Sequence, residues 1–253
     1  MMVWLYLLIL AFALAIRMSD SLIIIPTYNE LENVERMTRK VMSLAKEFDI
    51  LFVDDNSPDR TGRKIEELML EFDGRVFLEE REGKLGLGTA YIHGFRWALD
   101  RHYQYIIEMD CDFSHDPDDL IRLYEACYSG ADLSIGSRYC KGGKVSNWPL
   151  KRILLSYFAS VYVRLILWIS VKDTTAGFKC YRRSVLETIH LEAITFKGYA
   201  FQICMKYAAL KHGFRLIEIP ITFIDRQYGT SKMSTGIFKE AFFGVWKMRK
   251  MKL

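Results

Sequence analysis

The sequence has no CxxC pair, and its five cysteines, Cys111, Cys127, Cys140, Cys180 and Cys204, are scattered and odd in number. That excludes a disulfide framework and a zinc site of ordinary spacing, and a reduced, cytosolic setting is the simpler expectation. Charge of one sign is also lacking, since the net charge is only +4. No basic run is interleaved with aromatics, so nothing points to nucleic acid. No stretch rich in Pro, Gly or Ser divides the chain and no internal repeat is present, so residues 18–253 are expected to form one domain.

Long hydrophobic runs are missing as well. Met1–Ile16 is almost wholly apolar, but a helix needs ~20 residues to cross a bilayer. The positive start and small-residue cleavage site of a secretory signal are absent too. Residues 1–17 are therefore a short membrane-dipping anchor, a spanning helix that borrows a few residues, or the product of a misassigned start ahead of Met18.

What is present is a globular composition, 51% apolar and 26% charged, arranged in alternating strand and helix patterns. Leu22–Ile25 is a continuous β-branched run of the kind buried on both faces of a parallel sheet. Leu31, Val34, Met37, Val41, Leu44 and Phe48 follow at helical spacing. Further strands are expected at 50–53, 75–78, 105–109 and 133–136, with helices at about 61–72 and from Gly86 onward. The later chain reads as a helix at 151–170, a strand at 177–181, a helix at 199–211 and a single strand at 216–223. The fold class is therefore α/β: a Rossmann-like, mostly parallel sheet flanked by helices. Residues 21–140 form a nucleotide-binding half and 141–253 a second half.

Polar residues cluster where these strands end, which is where open α/β sheets bind ligands. In Asp110-Cys111-Asp112, two carboxylates two residues apart in extended chain share a face, and such hard oxygen ligands suit Mg²⁺ or Mn²⁺. Taken alone, D-x-D also describes a solvated turn. Asp54-Asp55 closes another strand, and Pro26-Thr27-Tyr28-Asn29-Glu30 presents a ring and a carboxylate that could stack and hydrogen-bond a nucleoside. The plain alternative there is a proline turn with Asn29 as N-cap of the next helix. No glycine-rich, arginine-containing loop follows the first strand, which counts against a nucleotidyltransferase.

The segments PTYNE (26–30), VDDNSPD (53–59), LGLGTAYIHG (85–94), DCDFSHDP (110–117), GSRY (136–139) and DRQYGTSKM (225–233) together resemble inverting glycosyltransferases of family 2. These have the GT-A fold, and the chain resembles in particular the dolichyl/polyprenyl-phosphate mannosyltransferase branch. The resemblance covers about residues 20–250. It implies mannose transfer from GDP-mannose to a polyprenyl phosphate, with inversion. It places Pro26, Tyr28, Glu30, Val53, Asp55, Cys111, Arg138, Arg226 and Lys232 about the nucleotide sugar, together with Asp110 and Asp112. Mg²⁺ or Mn²⁺ would lie on Asp110 and Asp112, with Ser114, which stands where relatives often have Gln, as a third ligand either directly or through water. Asp112, Arg138 and Arg152 would serve catalysis, the two arginines on the acceptor phosphate. Cys204 stands where Glu is usual.

A phosphate acceptor is largely dianionic at neutral pH, its second pKa being about 6, so no general base is required. Asp55 or Asp112 as base is the rival account. Other readings stay open: a UDP-glucose-type donor, or a non-catalytic nucleotide-sugar-binding scaffold. The lipid acceptor implies a peripheral protein on the cytoplasmic face of a membrane. The amphipathic stretch 237–253, with Phe242, Val245, Trp246 and a basic flank, and the helix 153–169 are the candidates to meet that membrane. For each, a core-packed helix is the alternative.

Overall fold

The computed structural model describes residues 19–226 and 235–251, with backbone alone for 235–239. Residues 1–17 and Lys232 lie outside the described residues. A seven-stranded sheet runs in the order β3-β2-β1-β4-β7-β5-β8. Its strands are β1 (Ser21–Thr27), β2 (Asp49–Asp54), β3 (Val76–Glu80), β4 (Tyr105–Glu108), β5 (Leu133–Ser137), β7 (Lys179–Arg182) and β8 (Leu216–Pro220). β7 is antiparallel to both its neighbours, and the remaining pairs are parallel. β6 (Lys144–Ser146) and β9 (Thr222–Ile224) form a separate parallel pair.

The expected apolar strands sit at the centre. Leu22, Ile24, Leu51 and Val53 face one core cluster, while Ile23, Ile25, Ile50 and Phe52 face the other. All eight have no accessible surface. Burying each such side chain contributes about 1.5–3 kcal/mol, which is why the run has no polar alternation. Helices α1 (Leu31–Met42), α2 (Thr61–Glu71), α3 (Leu87–Leu99), α4 (Asp119–Tyr128), α5 (Leu150–Leu167), α6 (Arg183–Thr188), α7 (Tyr199–Lys211) and α8 (Thr235–Met248) complete the chain.

Four boundaries differ from the sequence pattern. α1 ends at Met42, and Phe48 joins the core from the loop before β2, edge-on to Tyr124. Residues 216–223 split into two strands, because Pro220 closes β8 at the sheet edge and Thr222 turns to pair with Lys144. β4 ends at Glu108, so Asp110–Asp112 lie in a turn and not in extended chain. β7, from the later half of the sequence, lies between β4 and β5 of the earlier half.

Two glycines explain LGLGTAYIHG. A Cβ on Gly94 would fall 2.6 Å from Ile24 Cγ2, and one on Gly88 2.3 Å from the Phe196 carbonyl oxygen. Their bareness lets α3 lie directly on β1 and against the segment leading into α7. That segment and the start of α3 wall the cleft described next.

Candidate active site

The loops after β1, β2 and β4 meet the start of α7 around a cavity of about 570 Å³. Its lining includes Pro26, Tyr28, Glu30, Asp55, Asp110, Cys111, Asp112 and Arg226, most of the residues expected about a nucleotide sugar. Lys84, Lys197, Tyr199 and Glu240 also line it. Val53 does not: its side chain is fully buried in β2, within the core.

The two aspartates after β2 have separate tasks. Asp54 accepts hydrogen bonds from Thr27 Oγ1 (2.7 Å), Ser57 Oγ (2.7 Å) and Ser57 N (2.8 Å), tying the ends of β1 and β2 together. Asp55 faces the cavity and is held by Arg81 Nε (2.6 Å), whose Nη1 also donates to Thr89 Oγ1 (2.8 Å). Burial raises the Asp55 carboxyl above its ordinary value, and Arg81 restrains the rise.

Asn29 does not cap α1. Its φ is +55°, and the free N–H groups at the helix start are taken by the following loop. Asn29 N donates to Ser57 Oγ, Glu30 N to Thr61 Oγ1 and Leu31 N to Asp59 Oδ2. Asn56, on that loop, also has positive φ (+54°), a conformation asparagine tolerates better than most residues. The PTYNE and VDDNSPD segments thus form one hydrogen-bonded rim. Above it the Lys84 ammonium lies 5.1 Å from the Tyr28 ring centroid.

In the turn after β4, Phe113 is forced to φ +58°, a strained position for a bulky residue. The reversal lets Ser114 N donate to Asp112 Oδ1 (3.0 Å) and places His115 Nδ1 3.9 Å from Asp110 Oδ2. Asp110 keeps 41% of its side chain accessible, and both aspartates open on the cleft. Its carboxyl is pushed up by its depth in the cleft and next by the charge of Asp112, while Arg226 pulls it down. His115 Nδ1 is buried without a hydrogen-bond partner, and burial keeps the imidazole neutral by lowering its pKa to about 4.

Two oxygen donors whose like charge Arg226 only partly relieves, beside an uncommitted neutral nitrogen, suit a divalent cation. Among the described residues no three His, Cys, Asp or Glu side chains converge to chelate one alone. A cation held by these two carboxylates would leave positions open for phosphate and water oxygens. Ser114 approaches Asp112 through its main chain, and it lines the neighbouring chamber rather than the large cavity.

That neighbouring chamber, about 110 Å³, shares Leu87, Asp110, Asp112, Tyr199 and Arg226 with the first. Three arginines, Arg138, Arg152 and Arg226, line it beside three aspartates, Asp110, Asp112 and Asp225. Arg138 is almost wholly buried. Its main-chain N and Nε donate to Asp173 Oδ2 (2.9 and 2.7 Å), and Nη2 donates to Asp173 Oδ1 (2.7 Å) and Thr175 Oγ1 (2.8 Å). The buried guanidinium in turn holds the Asp173 carboxyl below its ordinary value despite the burial that raises it. Arg152 donates to both Asp225 oxygens (3.1 Å each) and lies 3.8 Å from the Trp148 ring centroid. Arg226 Nη2 lies 3.0 Å from Asp112 Oδ2.

The Glycosyl transferase family 2 profile matches residues 22–190. This chain belongs to that family. It is 48% identical to the polyprenol monophosphomannose synthase of Mycolicibacterium smegmatis over 231 residues, 90% of this chain and 87% of the relative. It is 46% identical to the undecaprenyl-phosphate mannosyltransferase of Micrococcus luteus over 224 residues, 88% of this chain and 91% of that one. It also resembles the dolichol-phosphate mannosyltransferase of Pyrococcus furiosus, at 36% identity over 90% of this chain and 63% of that one. The fold matches glucosyl-3-phosphoglycerate synthase of Mycobacterium tuberculosis, solved with Mn²⁺, UDP-glucose and phosphoglyceric acid. That match has TM-score 0.66 and 13% identity, covering 92% of this chain and 80% of that one. A mannosyltransferase of Pyrobaculum calidifontis, solved with GDP-Man and Mn²⁺, matches at TM-score 0.56 and 14% identity over 88% and 60% of the two chains. Identities this low speak to fold alone.

The protein is thus a glycosyltransferase of the GT-A type, with its cleft at the carboxyl ends of β1, β2 and β4. Arg81, Lys84, His115, Trp148, Glu240 and the pairing of Arg138 with Asp173 were not read from the glycosyltransferase sequence. Arg81 meets Asp55 across 26 residues and Arg138 meets Asp173 across 35, and neither pairing leaves a local pattern. His115 stood inside a quoted motif, and a lone histidine two residues beyond Phe113 was the available signal.

Proposed function

We propose that this glycosyltransferase moves a mannosyl group from GDP-mannose to a polyprenyl phosphate, with inversion. The observation that carries the reading is the two-chamber cleft. A large cavity suited to a nucleotide sugar opens, at Asp110, Asp112 and Arg226, onto a small arginine-lined chamber suited to a phosphate. Relatives at 48% and 46% identity, named for polyprenol and undecaprenyl-phosphate mannose transfer, support the choice of acceptor and sugar.

In this reading the acceptor phosphate enters beside Arg138 and Arg152, whose planar forks match its oxygens. Arg138 is already gripped by Asp173 and so is fixed in direction. Arg152 is half-exposed, and its pairing with Asp225 is weak enough to yield to a phosphate. A phosphate oxygen attacks the anomeric carbon, and the bond from that carbon to the nucleoside diphosphate breaks with its electron pair leaving on the diphosphate.

The acceptor arrives ionised, so no side chain needs to remove a proton. Asp55, Asp173 and Asp225 are each held by an arginine, which agrees with that economy. Asp110 and Asp112 would hold Mg²⁺ or Mn²⁺, which offsets the charge developing on the leaving diphosphate. Arg226, at the junction of the chambers, bears on the same charge. Tyr28, Glu30 and Asp55 would bind the nucleoside, with Pro26 shaping the rim and Cys111 lending main chain.

The same reading makes the protein peripheral to the cytoplasmic face of a membrane. Among the described residues no helix is long and apolar enough to cross one. Instead α5 exposes Leu150, Leu155, Phe158 and Leu165, and α8 exposes Phe242, Phe243 and Trp246, while Val163, Ile166, Val245 and Met248 face the core. Each helix is therefore both core-packed and outwardly apolar.

The test is transfer of radiolabelled sugar from GDP-mannose to a short polyprenyl phosphate, with Mg²⁺ or Mn²⁺ and with chelator. Metal-dependent labelled lipid of inverted configuration, lost in Asp112→Asn, is the expected result. Product from UDP-glucose and none from GDP-mannose would overturn the donor. No product with any donor, despite tight nucleotide binding, would leave a binding scaffold.

A further inference from the structure

Behind the arginine-lined chamber lies a lysine that the transfer itself does not touch. Lys206, on α7, has no accessible surface. Its Nζ donates to the carbonyl oxygens of Thr174 (3.0 Å), Ala176 (2.6 Å) and Gln202 (3.2 Å). An ammonium has three N–H donors and no acceptor, so three carbonyls satisfy it completely. Burying a charge without a carboxylate hydrogen-bonded to it is costly. A methionine or leucine would suit this apolar helix better if packing were all that mattered.

Two of the three carbonyls belong to the irregular segment joining α5 to β7. That segment grips Arg138 from both sides, through the Asp173 carboxylate and the Thr175 hydroxyl. Thr174 and Ala176, the residues whose carbonyls Lys206 holds, flank Thr175 directly. The segment's other anchors are Ser160 Oγ of α5, which accepts from Thr174 N (3.3 Å), and Glu218 of β8, which accepts from Asp173 N (2.9 Å). Lys206 is the anchor from the α7 side, and it is the one that fixes the carbonyl direction on either side of Thr175.

We infer that Lys206 is a positioning residue for the transfer: it clamps the 173–177 segment so that Asp173 and Thr175 aim Arg138 into the small chamber. The inference rests on the reading of that chamber as the acceptor-phosphate site. A side chain displaced by about 1 Å can cost two orders of magnitude in rate, so loss of the clamp shows in acceptor use even though Lys206 never meets the acceptor.

The experiment compares Lys206→Met, Thr175→Val and Arg138→Lys with the intact enzyme. KM for the polyprenyl phosphate is measured beside Kd for GDP and UDP with Mn²⁺. The expected result for Lys206→Met is an acceptor KM raised about tenfold or more, with nucleotide Kd within twofold of the intact enzyme. Thr175→Val, which leaves the Lys206 bonds in place, should raise acceptor KM about threefold, and the double variant should show less than the product of the two effects. If acceptor KM and nucleotide Kd rise together in Lys206→Met, or neither moves, Lys206 is only structural and the inference is wrong. Should Lys206→Met fail to fold, Thr175→Val decides: an unchanged acceptor KM there overturns the inference. An unchanged acceptor KM in Arg138→Lys would instead show that the phosphate does not bind in this chamber, and the proposed function would be the part to fail.

Discussion

Arg226 reaches back from the segment after β9 to place its Nη2 3.0 Å from Asp112 Oδ2. A guanidinium thus stands beside one of the two carboxylates proposed to hold a divalent cation. The two positive groups compete for the same negative field until a diphosphate arrives to share with both. Arg226→Gln should therefore tighten Mn²⁺ binding in the absence of nucleotide by about tenfold, the size of a partly buried charge interaction. Mn²⁺ titration followed by electron paramagnetic resonance checks this. Turnover should fall in the same variant, because the arginine is lost from the leaving-group side. Equal or weaker Mn²⁺ binding would show that Arg226 and the cation do not share Asp112.

The Asp110 carboxyl is held at a cost, because it sits deep in the cleft and faces Asp112. Asp110→Asn removes one of two like charges; because Asp110 is 41% exposed, solvent screens much of that repulsion, and Tm should rise by no more than about 2 °C. Activity should be lost by two or more orders of magnitude. Mn²⁺ should raise Tm of the intact protein but not of the variant. Thermal scans with and without Mn²⁺ and with chelator separate these outcomes. A variant that is both less stable and still stabilised by Mn²⁺ would remove Asp110 from the metal site.

A second strained carboxyl lies far from the cleft. Asp49 opens β2 with its side chain buried. Burial pushes its pKa up to about 6, while the Tyr103 hydroxyl (3.0 Å) and Arg75 restrain the rise. A raised acid pKa means that the folded state binds the proton more tightly than the unfolded chain does. Its stabilising contribution is complete below the ordinary value near 4 and is lost as pH rises through 6. Asp49→Asn should therefore stabilise the protein at pH 7.5 by about 2 kcal/mol and make little difference at pH 4. Urea unfolding of both proteins across that range measures the gap. A gap that is constant with pH would show that Asp49 titrates normally.

Physical reasons separate what could be read in the chain from what could not. Leu22–Ile25 and Ile50–Val53 were legible as central strands because burial on both faces leaves no polar alternation. The place of β7 was not, since Lys179–Arg182 carries no mark of strand direction and its antiparallel insertion depends on partners more than 40 residues away in sequence. α4 leaves only a faint pattern, because its buried stripe is only Leu120, Leu123 and Cys127. In the site, Asp110 and Asp112 are visible as a motif, but they do not lie in extended chain: β4 ends at Glu108 and the turn through Phe113 organises them. The buried Lys206 does leave a trace, a single charge at the middle of the apolar run of α7, but a lone lysine there does not say which carbonyls it meets.

The outward aromatic face offers a test that does not touch the cleft. Phe243 and Leu155 are 68% and 58% exposed, on α8 and α5 respectively. The two helices are joined by Tyr162, whose ring stacks on Phe242 (4.8 Å) and whose hydroxyl accepts from Trp246 Nε1 (3.0 Å). Exposed Arg249 and Lys250 lie just past α8. Apolar side chains entering the acyl boundary with basic residues at the headgroups is the arrangement of an interfacial helix. Moving one large apolar side chain out of water is worth about 1.5–3 kcal/mol when complete. Partial entry of two should then account for at least about tenfold in vesicle affinity. Phe243→Ser with Leu155→Ser should weaken flotation with anionic vesicles by that factor. Tm and turnover on a short, water-soluble polyprenyl phosphate should be unchanged, because neither side chain is part of the core. If binding to vesicles is unaltered, this face does not meet the lipid, and the acceptor must reach the arginine chamber by another route.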